Sequence, residues 1–121
     1  MYINILPIKT TNPNINMCEV NIKLSSGNQI KSAFADDKFN LKNREKISDI
    51  AKRHNVILAI NGSAAGFNKS SYVIRYGIIY RDTRLDCAPL VIQKDGDFRI
   101  YNYDLSGEEI AERGAMHISG G

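Results

Sequence analysis

The sequence predicts an α+β fold, with a curved, largely antiparallel sheet and two short helices. The chain has 121 residues, which is the size of one ordinary domain. Short segments rich in β-branched and aromatic residues are separated by Gly, Asn and Asp turn signals at hairpin spacing. Two segments carry a helical apolar stripe or a helix cap. Many strands and few helices therefore define the predicted class.

The N-terminal part predicts an arm followed by a hairpin. Residues 1–16 mix Asn, Thr and Pro with isolated isoleucines, which indicates an N-terminal arm or edge segment. Residues 17–121 are expected to form a single domain. Within it, residues 17–24 alternate with the period of a half-buried strand. The Ser-Ser-Gly-Asn turn at 25–28 then predicts that residues 29–35 return as its hairpin partner.

A helix and a buried strand are predicted next. Asn43 fits the N-cap of a helix over residues 44–54, whose apolar side chains fall on one stripe, and Asn55 fits its end. Residues 56–60 form a continuous apolar run too short for a helix, which predicts a central strand buried on both faces. A small-residue loop follows directly, at a place where α/β sheets often hold binding sites.

The C-terminal half predicts a meander and a capped helix. Four short strands are expected, paired across turns: residues 72–74 with 78–80, and residues 90–93 with 98–101. Ser106 and Glu109 match a capping box, which predicts a second helix from Gly107 to Arg113. Gly114 fits the left-handed residue that ends this helix, and residues 115–119 resume an extended pattern.

Composition and charge exclude several classes of function. The net charge is +3 with no basic run, so no nucleic-acid polymer is expected as a partner. Neither an apolar run of 18 residues nor a signal-peptide pattern occurs, so we expect a cytoplasmic protein without a membrane partner. The cysteines and histidines lack metal-ligand spacing, so no metal or other cofactor is expected. Small anionic ligands remain open.

Several segments carry a resemblance to a known family. The longer ones are residues 33–37 (Ala-Phe-Ala-Asp-Asp), 47–51 (Ile-Ser-Asp-Ile-Ala), 57–62 (Ile-Leu-Ala-Ile-Asn-Gly) and 72–81 (Tyr-Val-Ile-Arg-Tyr-Gly-Ile-Ile-Tyr-Arg). Shorter pieces follow in the same order, at residues 90–92, 95–96, 106–113 and 114–120. Together they resemble the phosphodiester glycosidase family, which includes the enzyme that uncovers mannose 6-phosphate tags and bacterial exopolysaccharide-associated relatives. The resemblance covers residues 30–121 and implies the first part of that family's domain.

Two departures from the family pattern bear on catalysis. In similar bacterial sequences an acidic residue and two aromatic residues usually follow the Asn-Gly pair, whereas Ser63, Ala64 and Ala65 stand here. The family's second half, with an Asp-Gly-Gly-Gly-Ser-Ser-like motif, has no counterpart in this sequence. A missing general acid or base typically costs about 100- to 10,000-fold in rate. The resemblance therefore implies phosphate binding without efficient catalysis, and no catalytic residue is assigned.

The expected ligand site combines loop amides with arginine, tyrosine and histidine side chains. Backbone amides and a forked guanidinium bind phosphate, Tyr76 can stack on a sugar or base, and His117 can be a phosphate ligand. The expected ligand-binding residues are Asn61, Gly62, Ser63, Gly66, Arg75, Tyr76, Arg81, His117 and Ser119. Structural alternatives stay open: the Asn-Gly pair is also an ordinary turn, the arginines are also typical surface charges, and a lone histidine is often structural.

Three functions stay open on the sequence. The first is non-catalytic binding and sequestering of a small sugar-phosphate or nucleotide-like phosphodiester, which would suit a phage or mobile element capturing a host nucleotide signal. The second is an active phosphodiester glycosidase, a hydrolase in which Asp36, Asp82, Asp86 or His117 replaces the missing groups or a partner chain supplies them. The third is a shortened or mutated piece of such an enzyme. Because a partial sheet leaves an open edge, we also expect a homo-oligomer.

Overall fold

The structure is a computed structural model that describes residues 1–62, 71–84, 88–102 and 104–119. Its class is α+β: the strands are antiparallel and form two sheets, and the helices are few and short. The predicted class is thus confirmed, although the strands are divided between two sheets. The elements are β1 (Tyr2–Thr11), β2 (Asn14–Lys23), α1 (Ile47–Arg53), β3 (Tyr72–Arg75), β4 (Ile78–Asp82), β5 (Leu90–Gln93), β6 (Phe98–Ile100), α2 (Gly107–Glu112) and β7 (Ala115–Ser119), with 3-10 turns at Gly27–Gln29 and Ala35–Asp37.

Strands β1 and β2 form a long two-stranded ribbon. They pair without irregularity from Tyr2↔Lys23 to Thr11↔Asn14, so the segment expected as an arm contributes a full strand. The predicted pairing of residues 17–24 with 29–35 is wrong, because β2 pairs with β1 instead. The turn that was expected to reverse the chain is a capped 3-10 turn, in which the Gln29 side chain accepts hydrogen bonds from the amides of Ser25 and Ser26.

The second sheet has five strands in the order β4-β3-β7-β5-β6. The expected meander strands and the extended segment at 115–119 are confirmed, and β7 lies in the centre. The prediction of a central strand at residues 56–60 is wrong: this segment forms no strand, and Ile57 and Ile60 are 76% and 83% exposed. A run of apolar residues indicates a preference for burial, but it does not determine whether another strand is available to pair with it. The central place belongs to β7, which pairs with β3 and β5.

The two helices differ in how their ends are fixed. Helix α1 begins after Lys46, which makes no side-chain cap, so Asn43 is not the N-cap. Asn55 does follow the end of α1 with a left-handed φ of 51°, as expected. In α2 the predicted capping box is confirmed: the Ser106 hydroxyl accepts from the amide of Glu109, whose carboxylate accepts from the Ser106 amide. This capping holds the pKa of Glu109 below its usual range.

The two faces of the five-stranded sheet have different covers. One face packs against α2 and forms the core, from Tyr72, Ile74, Val91, Ile110, Ala115 and Ile118. Residues 27–39, here called the cover segment, contact the opposite face through Ser32 and the aromatic rings of Phe34 and Phe39. The cover segment also crosses the β5–β6 turn, where Gly27 meets Gly96 backbone to backbone. The candidate site lies between this cover and the sheet.

Candidate functional site

His117 is the central polar residue of the covered sheet face. It lies on β7, in register with Arg75 on β3 and Ile92 on β5, so the three residues share one face of the sheet. The histidine is only 4% exposed. A nearly fully buried histidine must satisfy its ring nitrogens from its immediate neighbours or bear the cost of an unmade hydrogen bond.

The hydrogen bonds of His117 assign its tautomer. The backbone amide of Tyr76 donates to Nδ1 at 3.3 Å, and the Ser32 Oγ lies 2.9 Å from the same nitrogen. Because a backbone amide can only donate, Nδ1 is an acceptor, the Ser32 hydroxyl donates to it, and Nε2 carries the proton. Nε2 is buried and has no hydrogen-bond partner among the described residues. The site therefore holds an N–H donor without an acceptor.

Burial also decides the charge of His117. Desolvation lowers the pKa of its imidazole, and the positive charge of nearby Arg75 lowers it further. Both effects disfavour the imidazolium, so the ring is neutral at pH 7. It acts as a neutral hydrogen-bond donor rather than as a cation.

Tyr76 connects the histidine to the cover segment. It sits in the β3–β4 turn with a φ of 54°, which is unusual for a tyrosine, and is followed by Gly77 with a φ of 75°. Its ring meets the His117 ring edge to face at 4.7 Å. Its hydroxyl donates to the Ser32 carbonyl at 3.0 Å and accepts from the Ser32 amide at 3.2 Å. One tyrosine thus orients both the histidine and the backbone above it.

A cleft of about 80 Å³ lies between the cover segment and the sheet at His117. Its charged side chains are Lys31 and Lys94, with no carboxylate among the described residues that line it. The other lining residues are Gly27, Asn28, Ile30, Tyr76, Ile92, Gln93, Met116 and His117. Two lysines and an N–H donor without an opposing acid make a site suited to an anion.

The two arginines expected to bind phosphate make structural hydrogen bonds. Arg75 donates through Nη1 to the carbonyls of Ile74 and Ile118, at 2.8 and 2.6 Å, and burial lowers the pKa of its guanidinium. Arg81 donates to the carbonyl and hydroxyl of Ser71, at 2.9 and 2.6 Å. The guanidinium of Arg75 lies 5.8 Å from the centre of the Phe34 ring, so this side chain also anchors the cover segment.

The expected loop is not brought to this cleft in the part that the structure describes. Asn61 and Gly62 are exposed and do not line it, and a Cβ added at Gly62 would meet no atom within 4 Å. Ser63 and Gly66 lie outside the described residues, as does the side chain of Ser119. Of the expected set, the structure gathers Tyr76 and His117 at the cleft, with Arg75 beside them.

Sequence reasoning missed the cover-segment residues of the site. Ser32 bonds to a histidine 85 positions away, and Lys31 and Lys94 reach the cleft from segments predicted as a strand and a turn. Nothing in the local sequence around Ser32 distinguishes it from an exposed strand residue. The incorrect hairpin prediction for residues 29–35 concealed the contact, since it paired this segment with β2.

The carboxylates named as possible catalytic groups lie elsewhere. Asp36 is exposed and does not line the cleft, and its backbone amide donates to Glu45 Oε2 at 2.8 Å. Its neighbour Asp37 binds Arg53 and His54 next to α1, and these contacts hold the pKa of the Asp37 carboxyl below its usual range. The Asp82 carboxylate accepts from the Gly107 amide at 2.8 Å, at the start of α2. Asp86 lies outside the described residues. Within the described ranges, no group of three His, Cys, Asp or Glu residues is placed to hold a metal ion.

Among the described residues, the helices α1 and α2 have seven and six residues, far fewer than a membrane-spanning helix needs. Comparison of the chain with family models, curated proteins and solved structures finds no match.

Proposed function

We propose that this protein binds a small anionic ligand, a sugar-phosphate or nucleotide-like phosphodiester, and does not transform it. The observation that carries the proposal is the buried Nε2–H of His117, which has no acceptor among the described residues although His117 lines a cleft edged by two lysines. The proposal assigns a phosphate oxygen of the ligand as the acceptor for this donor. A hydrogen bond to a charged group contributes roughly 1.5 to 3 kcal/mol, enough to make the donor matter for affinity.

The contacts of the carboxylates favour binding over hydrolysis. Cleavage of a glycosyl phosphodiester calls for carboxylates that protonate the leaving group or stabilise an oxocarbenium-like centre. The described residues of the cleft include none: Asp36 is exposed outside it, and Asp82 accepts from the Gly107 amide at the start of α2. The neutral His117 has its Nδ1 occupied by two donors, so that nitrogen is not free to accept a proton from water.

We propose that this protein shares the fold of the phosphodiester glycosidase family and not its catalytic activity. This relationship is supported by the order of the resembling segments in the sequence, several of which form strands of the five-stranded sheet and helix α2. We propose sequestering as the biological use, because the described residues of the cleft offer cations and an N–H donor to an anion but no carboxylate to cleave it.

The test is calorimetry with cyclic nucleotides, ADP-ribose-type nucleotides, sugar nucleotides and glycosyl phosphodiesters, each recovered afterwards by chromatography. We expect at least one to bind and to be recovered intact. Binding of none of them would overturn the proposal, and recovery of a cleaved product would replace it with hydrolysis.

Two histidine variants locate the site. His117→Asn offers an amide oxygen near the position of Nδ1 and removes the Nε2 donor, so we expect about tenfold weaker binding with little change in fold. His54→Asn is the matched control, because His54 is exposed beside α1 and does not line the cleft. Equal affinities of the two variants for the ligand would show that the cleft at His117 is not the site.

A further inference from the structure

A second basic depression adjoins the cleft at His117. It has a volume of about 220 Å³ and is lined by Gln93, Lys94, Asp95, Arg99, Arg113 and Gly114. Gln93 and Lys94 line both spaces, so these two residues form a shared wall. The two depressions are therefore neighbours on one surface and not separate features of the fold.

The charges of the second depression are unbalanced. Three cations, Lys94, Arg99 and Arg113, face one lining carboxylate, Asp95. That carboxylate already accepts from the Asp97 amide at 3.0 Å, within the β5–β6 turn. Arg99 has an exposed ion-pair contact of 4.0 Å with Asp97, which is too long and too well solvated to neutralise it strongly.

The shared wall is held in place by hydrogen bonds. In the amide orientation that satisfies its neighbours, Gln93 donates to the carbonyls of Arg113 and Gly114, at 3.0 and 2.9 Å, and accepts from the Tyr101 hydroxyl at 2.6 Å. The Arg113 guanidinium lies 5.6 Å from the centre of the same tyrosine ring. The wall and one of the cations are thus positioned before any ligand arrives.

We propose that the two depressions take two anionic groups of one ligand, which narrows the ligand class proposed above to molecules with a diphosphate or longer polyphosphate group. This inference rests on the proposed function, because it places the first anionic group at His117. Lys94 lies between the groups and contacts both. Lys31 binds the first anionic group, and Arg99 and Arg113 bind the second.

The test compares inorganic phosphate, pyrophosphate and tripolyphosphate by calorimetry at one fixed salt concentration. We expect the longer anions to bind at least tenfold more tightly than phosphate. Arg99→Gln should weaken tripolyphosphate binding about tenfold and phosphate binding less than twofold, since only the longer anion reaches Arg99. Lys52→Gln removes the same charge from exposed α1, outside both depressions, and should change both affinities less than twofold.

The outcomes separate this inference from the function on which it rests. If Arg99→Gln weakens phosphate and tripolyphosphate equally, or no more than Lys52→Gln does, bridging is wrong while anion binding stands. If none of the three anions binds and the nucleotide panel also gives no binding, the proposed function fails first. If tripolyphosphate binds tightly but His117→Asn leaves its affinity unchanged, the ligand uses only the second depression, which also overturns bridging.

Discussion

Substitution of Gly27 by alanine tests whether the cover segment packs closely against the β5–β6 turn. An added Cβ would lie 2.6 Å from the Gly96 nitrogen, 2.7 Å from Gly96 Cα and 3.0 Å from the Asp95 carbonyl carbon. Ordinary contact begins at 3.4 Å, so the two backbones must separate by about 0.8 Å. All three neighbours are backbone atoms, which cannot move aside by changing a rotamer.

The expected cost follows from overpacking. Forcing an extra methyl group into a filled contact costs about 1 to 3 kcal/mol, and the lower unfolded-state entropy of alanine returns about 0.4 to 1 kcal/mol. We therefore expect Gly27→Ala to lower the free energy of unfolding by about 1.3 kcal/mol, within a range of about 0 to 2.6 kcal/mol. In a domain of this size, each kcal/mol corresponds to a fall of about 3 to 6 °C in Tm.

Urea denaturation followed by circular dichroism measures this change, and Gly62→Ala is the matched control. A Cβ at Gly62 meets nothing within 4 Å, so this variant keeps only the unfolded-state gain and should be more stable than the parent protein by up to about 1 kcal/mol. Equal unfolding midpoints for the two variants would refute the close crossing of Gly27 and Gly96, and with it the position of the cover segment.

Three further measurements test the capping box of α2, the titration of His117 and the exposed face of the β1–β2 ribbon. Ser106→Ala removes the capping box of α2 and should cost about 1 kcal/mol in urea denaturation, whereas an unchanged midpoint would contradict the cap's contribution. Burial lowers the pKa of His117 in the folded protein, so as the pH falls through about 6.5 the unfolded state binds a proton before the folded state does. The free energy of unfolding should therefore decline more steeply below pH 6.5 in the parent protein than in His117→Asn. Parallel pH profiles of the two proteins would refute this. Ile5 and Val20 are exposed register partners on the ribbon, and we propose that the homo-oligomer expected from the sequence forms through this face. Ile5→Lys should then reduce the mass found by light scattering, while Thr11→Lys should not. A monomeric parent protein at micromolar concentration would remove that proposal.

Local signals in the sequence were sufficient where structure depends on near neighbours. The capping box at Ser106 and Glu109 joins residues three positions apart, and the β5–β6 hairpin joins strands across a four-residue turn. Both were predictable because the residues that make the stabilising contacts are close together in the sequence. The end of α1 at Asn55 belongs to the same group.

Predictions failed where two local signals competed or where a partner was distant. The Ser-Ser-Gly-Asn segment fits a hairpin turn, yet Gln29 completes a capping box there and β2 pairs with β1 instead. Residues 56–60 have the composition of a buried strand, but β7 occupies the centre of the sheet. Register and strand order depend on which partners are available, and composition alone does not state them.

The candidate site shows the same division. The sequence singled out Tyr76 and His117 by residue type, and the structure places both at one cleft. Only the tertiary structure decided that Ser32 and Lys31 join them and that Arg75 and Arg81 hydrogen-bond to backbone carbonyls. The hydrogen-bonding and charge properties of a side chain follow from its residue type, so the sequence alone gives them. Geometry depends on contacts across 41 and 85 positions, which form only when the chain folds.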